Sequence, residues 1–374
     1  NGKREAADTG SQLALGSDAV IKVLVDKMSA YKRKYPEIQS LAFGSNDSGE
    51  HGMGFGNDPD SEKLDSPRDI PPNGSKEPRF YTTRYIKAAN RIVAELNKVW
   101  PELQLHVYAY NMNGGTIAPP NCEVHPNIKV EFCPLYRCYQ HALNDPACPR
   151  NQTFCRWLEG WAAKTKNIYI RDYYLQLVDS YPMTNLFVLK KDVEYFRRLG
   201  ISGAVPETIP DGPNGANVAT GLSYDRWLLS PPEYIRFWDN SALLHFALAR
   251  LLWNPDESVE SIVELYCRNY YGPAWKPMAS YLLALNHNSW LNARPGQPPP
   301  ADKIGNYAGW IHHGPWCNGW NWRPRLIPAA YRLFNISRPE ELPDACKAPV
   351  SRLMEARNIA VNQCSESIRS RIDS

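Results

Sequence analysis

The chain has 374 residues, 43% of them hydrophobic, so it is long and apolar enough to fold around a substantial core. Its 42 basic and 39 acidic residues give a formal net charge of +3. Without a long run of one sign, this balance indicates neither nucleic acid nor an anionic membrane as a partner. No apolar stretch approaches the roughly 18 residues that a membrane-spanning helix needs.

Helices and strands alternate through the first half of the chain. Ser17 is placed to cap a first helix and Thr82 or Thr83 to open a second, because apolar residues recur at helical spacing after each of them. Short apolar runs bounded by turn-forming residues predict five strands. These strands cover residues 41–45, 104–110, 128–134, 167–172 and 201–206. The stretch 49–78 lacks periodicity and predicts a loop that covers a surface or a site.

Helical patterns dominate the second half. A helix that contains Trp157 and Trp161 precedes the fourth strand. The clearest amphipathic helix ends at Gly200, which suits the left-handed conformation of a helix terminus. Its apolar face is formed by Leu186, Leu189, Val193, Phe196 and Leu199. Asn240 is expected to cap a further helix, and beyond Pro255 the pattern is helical with no later strand.

The alternation of helix and strand predicts an α/β fold in which right-handed crossovers build a parallel sheet. Five such units suit an open sheet or five-eighths of a closed (β/α)8 barrel of the TIM type. Because a closed barrel has eight strands, the second option requires three more strands upstream of Asn1 or on another polypeptide. We predict a barrel portion over residues 1–255 and a helical C-terminal region over residues 256–374.

Nine cysteines and four N-glycosylation sequons indicate the compartment of the protein. The cysteines lack the paired CxxC spacing of a zinc site, so disulfide bonds are their expected use. Their odd number leaves one thiol either free or paired to a group outside this chain. The candidates are Cys122, Cys133, Cys138, Cys148, Cys155, Cys267, Cys317, Cys346 and Cys364. N-glycans are predicted at Asn46, Asn73, Asn151 and Asn335. Together these features favour a secreted, extracellular or lumenal protein.

A series of short motifs follows a fixed order along the chain. The motifs are LALGSDAV at 13–20, Asn-Asp at 46–47, YAY at 108–110, Asp-Tyr at 172–173, LGISG at 199–203, LLWNP at 251–255 and YYGPA at 270–274. In this order and spacing the chain resembles domain-of-unknown-function family 4838 over residues 13–285. The resemblance implies a glycoside-hydrolase-like TIM barrel, similar to the barrels of β-hexosaminidases and α-glucuronidases.

Two features depart from the pattern of that family. Its members usually carry a small α/β domain and the first barrel strands ahead of the motif at 13–20, which implies that an upstream chain or domain completes the barrel. Many members also place a cysteine cluster after the Asn-Asp pair. This chain instead has Ser48, Gly49, Glu50 and His51 there, so the role of that cluster is not carried over.

Acidic residues follow three of the predicted strands at the carboxyl ends, where parallel α/β folds bind ligands. Glycoside hydrolysis uses two carboxyl groups, and we assign these to Asp47 and Glu207. Glu207 follows an apolar strand and Pro206, where partial burial would raise its pKa and suit it to proton donation. Asp172 lies beside Arg171 and either forms an ion pair or binds substrate hydroxyls. The alternatives are that Asp47 caps a turn and that Glu207 accepts hydrogen bonds from backbone amides.

Aromatic residues near these acids complete the predicted site, since sugars present apolar ring faces surrounded by hydroxyls. The predicted substrate-binding residues are Glu50, His51, Tyr108, Tyr110, Asp172, Tyr173, Trp310 and Trp316. Solvated side chains at Glu50 and His51, and a packed interdomain loop at 310–322, are the alternatives. No metal-ligand spacing, nucleotide-binding motif or serine-hydrolase motif is found, so neither metal nor cofactor is expected.

Two functions follow from these patterns. The first is a glycoside hydrolase-like activity on a carbohydrate or glycan substrate, through a two-carboxylate acid/base mechanism. The alternative is a catalytically inactive extracellular structural, assembly or carbohydrate-binding protein on the same fold. Carboxyl groups about 5 to 10 Å apart across an open, aromatic-lined pocket favour hydrolysis. A pocket plugged by the 49–78 loop, or a large exposed apolar patch, favours the alternative.

Overall fold

The computed structural model describes residues 13–44, 58–67, 81–110, 118–119, 122–134, 137, 141–172, 186–206, 237–292, 344–366 and 368. Two compact units share the chain. The sheet unit consists of Asn1–Leu135, Phe154–Asp172 and Leu199–Val205, and the helical unit of Tyr136–Thr153, Tyr173–Arg198 and Pro206–Ser374. The expected boundary at residue 255 stays a prediction.

A five-stranded parallel sheet forms the centre of the sheet unit. Its strands are β1 (Ser40–Phe43), β2 (Gln104–Ala109), β3 (Ile128–Phe132), β4 (Ile168–Ile170) and β5 (Gly203–Ala204). They pair in the unbroken order β1-β2-β3-β4-β5. All five predicted strands are therefore confirmed, and each ends before its predicted last residue. Among the described strands β1 and β5 remain the two edges, so this sheet is open and the class established is parallel α/β.

The predicted helices are also present. In the sheet unit α1 (Asp18–Lys34) and α3 (Thr82–Asn97) pack against each other, and α2 (Pro59–Glu62) is a single short turn. Ser17 occupies the N-cap position of α1, although its hydroxyl makes no capping hydrogen bond. Helix α4 (Pro149–Lys164) contains Trp157 and Trp161 as predicted.

The remaining helices are α5 (Leu186–Leu199), α6 (Phe237–Trp253), α7 (Val259–Tyr270), α8 (Trp275–Asn292) and α9 (Asp344–Gln363). Gly200 follows α5 at a φ of 73°, the left-handed value expected of it. The prediction for Asn240 is wrong, because α6 begins at Phe237 and Asn240 lies inside its first turns.

One face of the sheet is apolar and covered by helix. Leu105, Val107, Ile128 and Val130 alternate along β2 and β3 and are fully buried, and α3 packs against both strands. Helix α3 has a stripe of buried apolar residues because they recur at helical spacing. This face therefore belongs to the apolar core of the sheet unit.

The helical unit has its own core. Apolar residues of α5, α6, α7, α8 and α9 form one buried cluster, which includes Leu189, Leu251 and Ile262. A buried ion pair lies in the same unit, where Nη2 of Arg137 is 2.7 Å from Oδ2 of Asp192. The other carboxylate oxygen of Asp192 accepts a 2.6 Å hydrogen bond from the backbone N–H of Leu143. Partners on both oxygens compensate the cost of burying this charge. No helix within the described ranges is long and apolar enough to cross a bilayer.

Candidate functional site

The second face of the sheet is polar. His106, Tyr108, Lys129, Glu131 and Tyr169 occupy the positions that alternate with the buried apolar residues, so they lie on the face opposite α3. All-parallel sheets normally carry apolar side chains on both faces. We call this surface, completed by Arg171 directly after β4, the polar face, and it is the candidate site.

A row of residues in register crosses the middle of the polar face. Tyr108 pairs with Glu131, Glu131 with Tyr169, and Tyr169 with Gly203. Because neighbouring strands are about 4.8 Å apart, the two tyrosines flank Glu131 at about 10 Å from each other along the sheet. The row therefore places a carboxylate between two aromatic rings.

Two glycines make room for these rings. A Cβ on Gly203 would lie 3.1 Å from Cε1 of Tyr169, and a Cβ on Gly44 would lie 3.2 Å from Cδ2 of Tyr108. Each ring thus occupies the space that a side chain on the adjacent strand would fill. Glycine at both positions lets the tyrosines lie close to the neighbouring backbone.

Glu131 is the centre of an ionic network. Its side chain is 1% exposed, with Oε1 at 3.1 Å from Nη1 of Arg171 and Oε2 at 2.7 Å from Nε2 of His106. The histidine contact is at ion-pair distance but is not aligned as a hydrogen bond. Burial raises the pKa of Glu131, but the contacts and charges of His106 and Arg171 outweigh it, so the pKa lies below the ordinary value. Glu131 is therefore an anchored carboxylate and not a proton donor at neutral pH.

Cations lie against both aromatic rings. Nζ of Lys129 is 3.9 Å from the ring centroid of Tyr169, and Cζ of Arg171 is 5.9 Å from that of Tyr108. The imidazole of His106 stacks on Tyr108 at 5.5 Å between centroids and 26° between planes. Such contacts are attractive because the ring face is electron-rich, and they restrict how each ring can move.

The carboxyl edge of the sheet is fixed by Tyr85 in the first turn of α3. Its hydroxyl donates to the carbonyl oxygen of Phe43, the last residue of β1, and its ring stacks on that of Phe43 at 5.0 Å. Burial raises the pKa of Tyr85 well above its usual range, so the hydroxyl stays protonated. Helix α3 therefore begins at the edge where β1 ends.

The structure describes three of the residues predicted for the site. Tyr108 lies in the central row, while Tyr110 and Asp172 follow β2 and β4 at the carboxyl edge, where Asp172 is 1% exposed. Arg171, beside Asp172 in sequence, pairs with Glu131. The other predicted residues lie outside the described ranges, and their roles stay predictions. They are Asp47, Glu50, His51, Tyr173, Glu207, Trp310 and Trp316.

The predicted acids Asp47 and Glu207 follow β1 and β5 in the sequence. β1 and β5 run parallel, so the segments that follow them leave the sheet at the same edge, as predicted. They are also the two outermost strands, four spacings or about 19 Å apart along a flat sheet.

Sequence reasoning missed His106, Lys129, Glu131 and Tyr169. The predicted site consists of residues that follow the strands, or lie at their ends, and these four lie within the strands. The available signal was the polar residue at every second position of β2, β3 and β4, which is unexpected for strands assigned to a parallel sheet. Among the described residues no group of three or more His, Cys, Asp or Glu side chains is arranged to hold a metal ion.

The structure describes one predicted glycosylation site, Asn151, and six of the predicted disulfide cysteines. The side chain of Asn151 is 0% exposed, and its Nδ2 donates to the carbonyl oxygens of His141 and Ala142 at 2.9 and 3.0 Å. The folded chain leaves no room for a glycan on this nitrogen. In the described part of the chain no disulfide joins two cysteines. Cys267 is a free thiol on α7, buried in the core of the helical unit, and burial raises its pKa to about 12.

Comparison with known proteins identifies the family. A family model described as "Domain of unknown function (DUF4838)" matches residues 1–283. No curated protein and no solved structure matches the chain.

Proposed function

Because the chain belongs to the DUF4838 family, whose description leaves the function unknown, we propose from the site itself that the protein is a glycoside hydrolase-like enzyme. The polar face binds a carbohydrate, and carboxyl groups at the carboxyl edge of the sheet cleave it. The observation that carries this proposal is the row in which Glu131 lies between the rings of Tyr108 and Tyr169.

The row suits a sugar for a chemical reason. An aromatic ring contacts the apolar face of a pyranose. Charged groups beside the ring form hydrogen bonds with the hydroxyls of the sugar. Lys129 and Arg171 lie against the two rings and supply charged donors, and Glu131 holds Arg171 in position. The network of Glu131 also fixes these groups before a ligand arrives, which lowers the entropy lost on binding.

Glu131 itself is assigned to holding Arg171 and His106 in position, and not to proton transfer. Its ionised carboxylate is held by His106 and Arg171, so it can serve neither as a proton donor nor as an unhindered nucleophile. We therefore keep Asp47 and Glu207 as the catalytic pair, with one as general acid and the other as base or nucleophile. Curling of the sheet towards a barrel is part of this proposal, because it brings β1 and β5 closer.

A hydrolysis screen tests the proposal. The protein and its Asp47→Asn and Glu207→Gln variants are incubated with a library of oligosaccharides, and released sugars are measured. We expect product from the unaltered protein and a loss of about 100-fold or more in each variant, the usual worth of a positioned acid or base. Equal product release by all three proteins removes Asp47 and Glu207 from the mechanism.

A carbohydrate-binding protein without hydrolytic activity is the second candidate. It is favoured by the ion pairs that already neutralise Glu131 and by the separation of about 19 Å between the edge strands. In this case an oligosaccharide binds against the ring of Tyr169, but its glycosidic bonds are not cleaved. Calorimetry on the members of the library separates the two candidates, since binding without product supports the second.

We further propose that the protein is secreted or lumenal and carries N-glycans at Asn46, Asn73 and Asn335. The three sequons at these positions support this. Treatment of the protein from a eukaryotic secretion host with an N-glycosidase is expected to lower its mass. An unchanged mass contradicts the assignment.

A further inference from the structure

The N-terminus of α3 lacks the hydrogen bonds that usually complete a helix. The first intrahelical bond runs from the N–H of Tyr85 to the carbonyl oxygen of Tyr81, so the N–H groups of Thr82 and Thr83 have no acceptor within the helix. Tyr81 occupies the N-cap position, and its side chain makes no capping hydrogen bond. Helix α3 has 16 residues, so the positive end of a full helix dipole lies at these two N–H groups.

Two buried hydroxyls lie at the same terminus. Thr82 is 1% exposed and Thr83 is 0% exposed. Oγ1 of each is buried and has no hydrogen-bond partner among the residues that the structure describes. Because side chains on a helix tilt towards its N-terminus, both hydroxyls are aimed at the end where the N–H groups point. Buried hydroxyls without a partner are destabilising, and in a folded protein they indicate a bound ion or water.

The charged residue of this turn, Arg84, already has a partner. Its Nε and Nη2 atoms each donate to one carboxylate oxygen of Asp65 at 2.8 Å, and both side chains are almost fully buried. The guanidinium and the carboxylate therefore balance each other beside the helix terminus. The donors of Thr82 and Thr83 are neutral, so a ligand is recognised here by hydrogen bonds and by the helix dipole.

The acids predicted at the carboxyl edge of the sheet must be weighed against a ligand from outside the chain. Asp172 and Glu207 follow β4 and β5, which are three and four strands away from β1. Asp47 and Glu50 follow β1, whose last residue accepts a hydrogen bond from Tyr85 in α3. A carboxylate of Asp47 or Glu50 is therefore the competing occupant of the α3 terminus.

We propose that the N-terminus of α3 binds a free oxyanion with several acceptor oxygens, such as phosphate or sulfate. Thr82 and Thr83 supply two N–H and two O–H donors. A water molecule accepts only about two hydrogen bonds, whereas the oxygens of phosphate or sulfate accept all of them, and the helix dipole favours negative charge at this end. Because both residues are enclosed, the ligand is a small ion and not a group on a larger molecule. This site is separate from the proposed function.

Thermal unfolding tests the site with inorganic phosphate and with sulfate, each compared with chloride at the same ionic strength. An ion that binds only the folded protein raises its Tm. We expect a rise of about 2–4 °C once the ion exceeds its Kd several-fold. Phosphate and sulfate also stabilise proteins by exclusion from their surface, so the readout is the difference between the unaltered protein and its variants. Calorimetry with phosphate gives the Kd directly.

Valine substitutions attribute the gain to the two hydroxyls. Thr82→Val and Thr83→Val keep the shape of the side chain, and in chloride their Tm should equal or exceed that of the unaltered protein, because an unsatisfied hydroxyl is removed. In phosphate each should lose most of the gain. Thr83→Ser keeps the hydroxyl and should retain the gain. Thr153→Val in α4, where the hydroxyl lies 3.5 Å from the carbonyl oxygen of Pro149, is the matched control and should also retain it.

Two further variants, Asp47→Asn and Glu50→Gln, separate a free ion from a carboxylate of the chain. If phosphate stabilises one of these variants but not the unaltered protein, the chain fills the site itself and the free-ion proposal is overturned. An equal gain in the protein and in Thr83→Val, or no gain in any of them, also overturns it. A gain that is lost with valine and kept with serine supports it. If neither valine variant folds, calorimetry decides, and phosphate that fails to bind the unaltered protein overturns the site. None of these readouts depends on hydrolysis or on carbohydrate binding.

Discussion

The two faces of the sheet are built by the same strands but differ in chemistry. On the face towards α3, Val107, Val130 and their neighbours are fully buried and wholly apolar. On the other face, Tyr108, Glu131 and Tyr169 alternate with them and carry charge, hydroxyls and aromatic surface. Because side chains alternate across a strand, one stretch of sequence can serve stability on one side and recognition on the other.

The difference shows where each property resides. Apolar burial scales with the area removed from water, so the helix-covered face supplies stability. The polar face gains less from burial, since its charges must be compensated before they stabilise anything. Substitutions on the two faces are therefore expected to separate stability from binding.

The largest effect is expected on the apolar face. Phe132 is fully buried at the end of the central strand, and Phe132→Ala is expected to cost about 3–5 kcal/mol of unfolding free energy through the cavity it leaves. Urea denaturation measures this loss. Phe132→Leu, which leaves a smaller cavity, is the control and should lose less. A change below 1 kcal/mol for the alanine variant, about the spread of surface substitutions, contradicts the assignment of stability to this face.

The second effect is a pH dependence at Glu131. Since its pKa in the folded protein is below the ordinary value of 4.5, its stabilising contribution is complete above that value and is lost as the pH falls through the folded pKa. Glu131→Gln removes the contribution, about 1–3 kcal/mol at neutral pH for hydrogen bonds to a charged group.

Denaturation of both proteins between neutral and acidic pH gives the measurement. The gap in unfolding free energy between the protein and Glu131→Gln should narrow below the ordinary carboxyl pKa. Glu95→Gln removes an exposed carboxylate paired with Lys98 and is the control, for which a small, flat difference is expected. A gap that stays constant through the acidic range shows that Glu131 is not held ionised by its neighbours.

The third effect concerns binding more than stability. Tyr169 is partly buried, and Tyr169→Ala is expected to weaken oligosaccharide affinity about tenfold, as removal of an aromatic contact does. Its unfolding free energy should change by about 1 kcal/mol or less, since the ring is not in the core. Tyr169→Phe keeps the ring and should bind nearly as well. Calorimetry and denaturation on the same samples provide the comparison, and equal affinities for the tyrosine and alanine proteins refute the sugar-binding row.

The smallest effect sharpens the role of the glycines. A Cβ at Gly203 would meet Tyr169 at 3.1 Å, so Gly203→Ala forces the ring to shift by a few tenths of an ångström. We expect affinity to fall only about two- to threefold, or about half a kcal/mol. In the Tyr169→Ala background the same substitution should have no effect on affinity, because the two residues then no longer interact. Additive effects in this double-mutant cycle mean that Gly203 acts elsewhere.

Much of the fold was readable from local patterns. The strands were found because their apolar runs are short and bounded by turn residues, and Gly200 because only a residue without a Cβ readily takes a φ of 73°. Asn240 was misplaced because polar residues of the capping type are also tolerated in the first turns of a helix, so the boundary of α6 is weakly encoded.

The site was less readable because it depends on register. Arg171 and Glu131 are 40 residues apart, and the pairing of β3 with β4 brings them together. No local pattern contains this alignment. The sequence therefore suggested Asp172, the neighbour of Arg171, as the acid that forms an ion pair. The polar alternation inside the strands was visible, but its meaning required knowing that the strands are parallel and that helix covers one face.

The interleaving of the two units has a practical consequence for dissecting the protein. The chain leaves the sheet unit after Leu135 and again after Asp172, and it returns at Phe154 and at Leu199. No single contiguous stretch of the gene therefore encodes all five strands without also encoding pieces of the helical unit. During synthesis β1, β2 and β3 emerge from the ribosome first. β4 and β5 can complete the sheet only after segments of the helical unit have been translated.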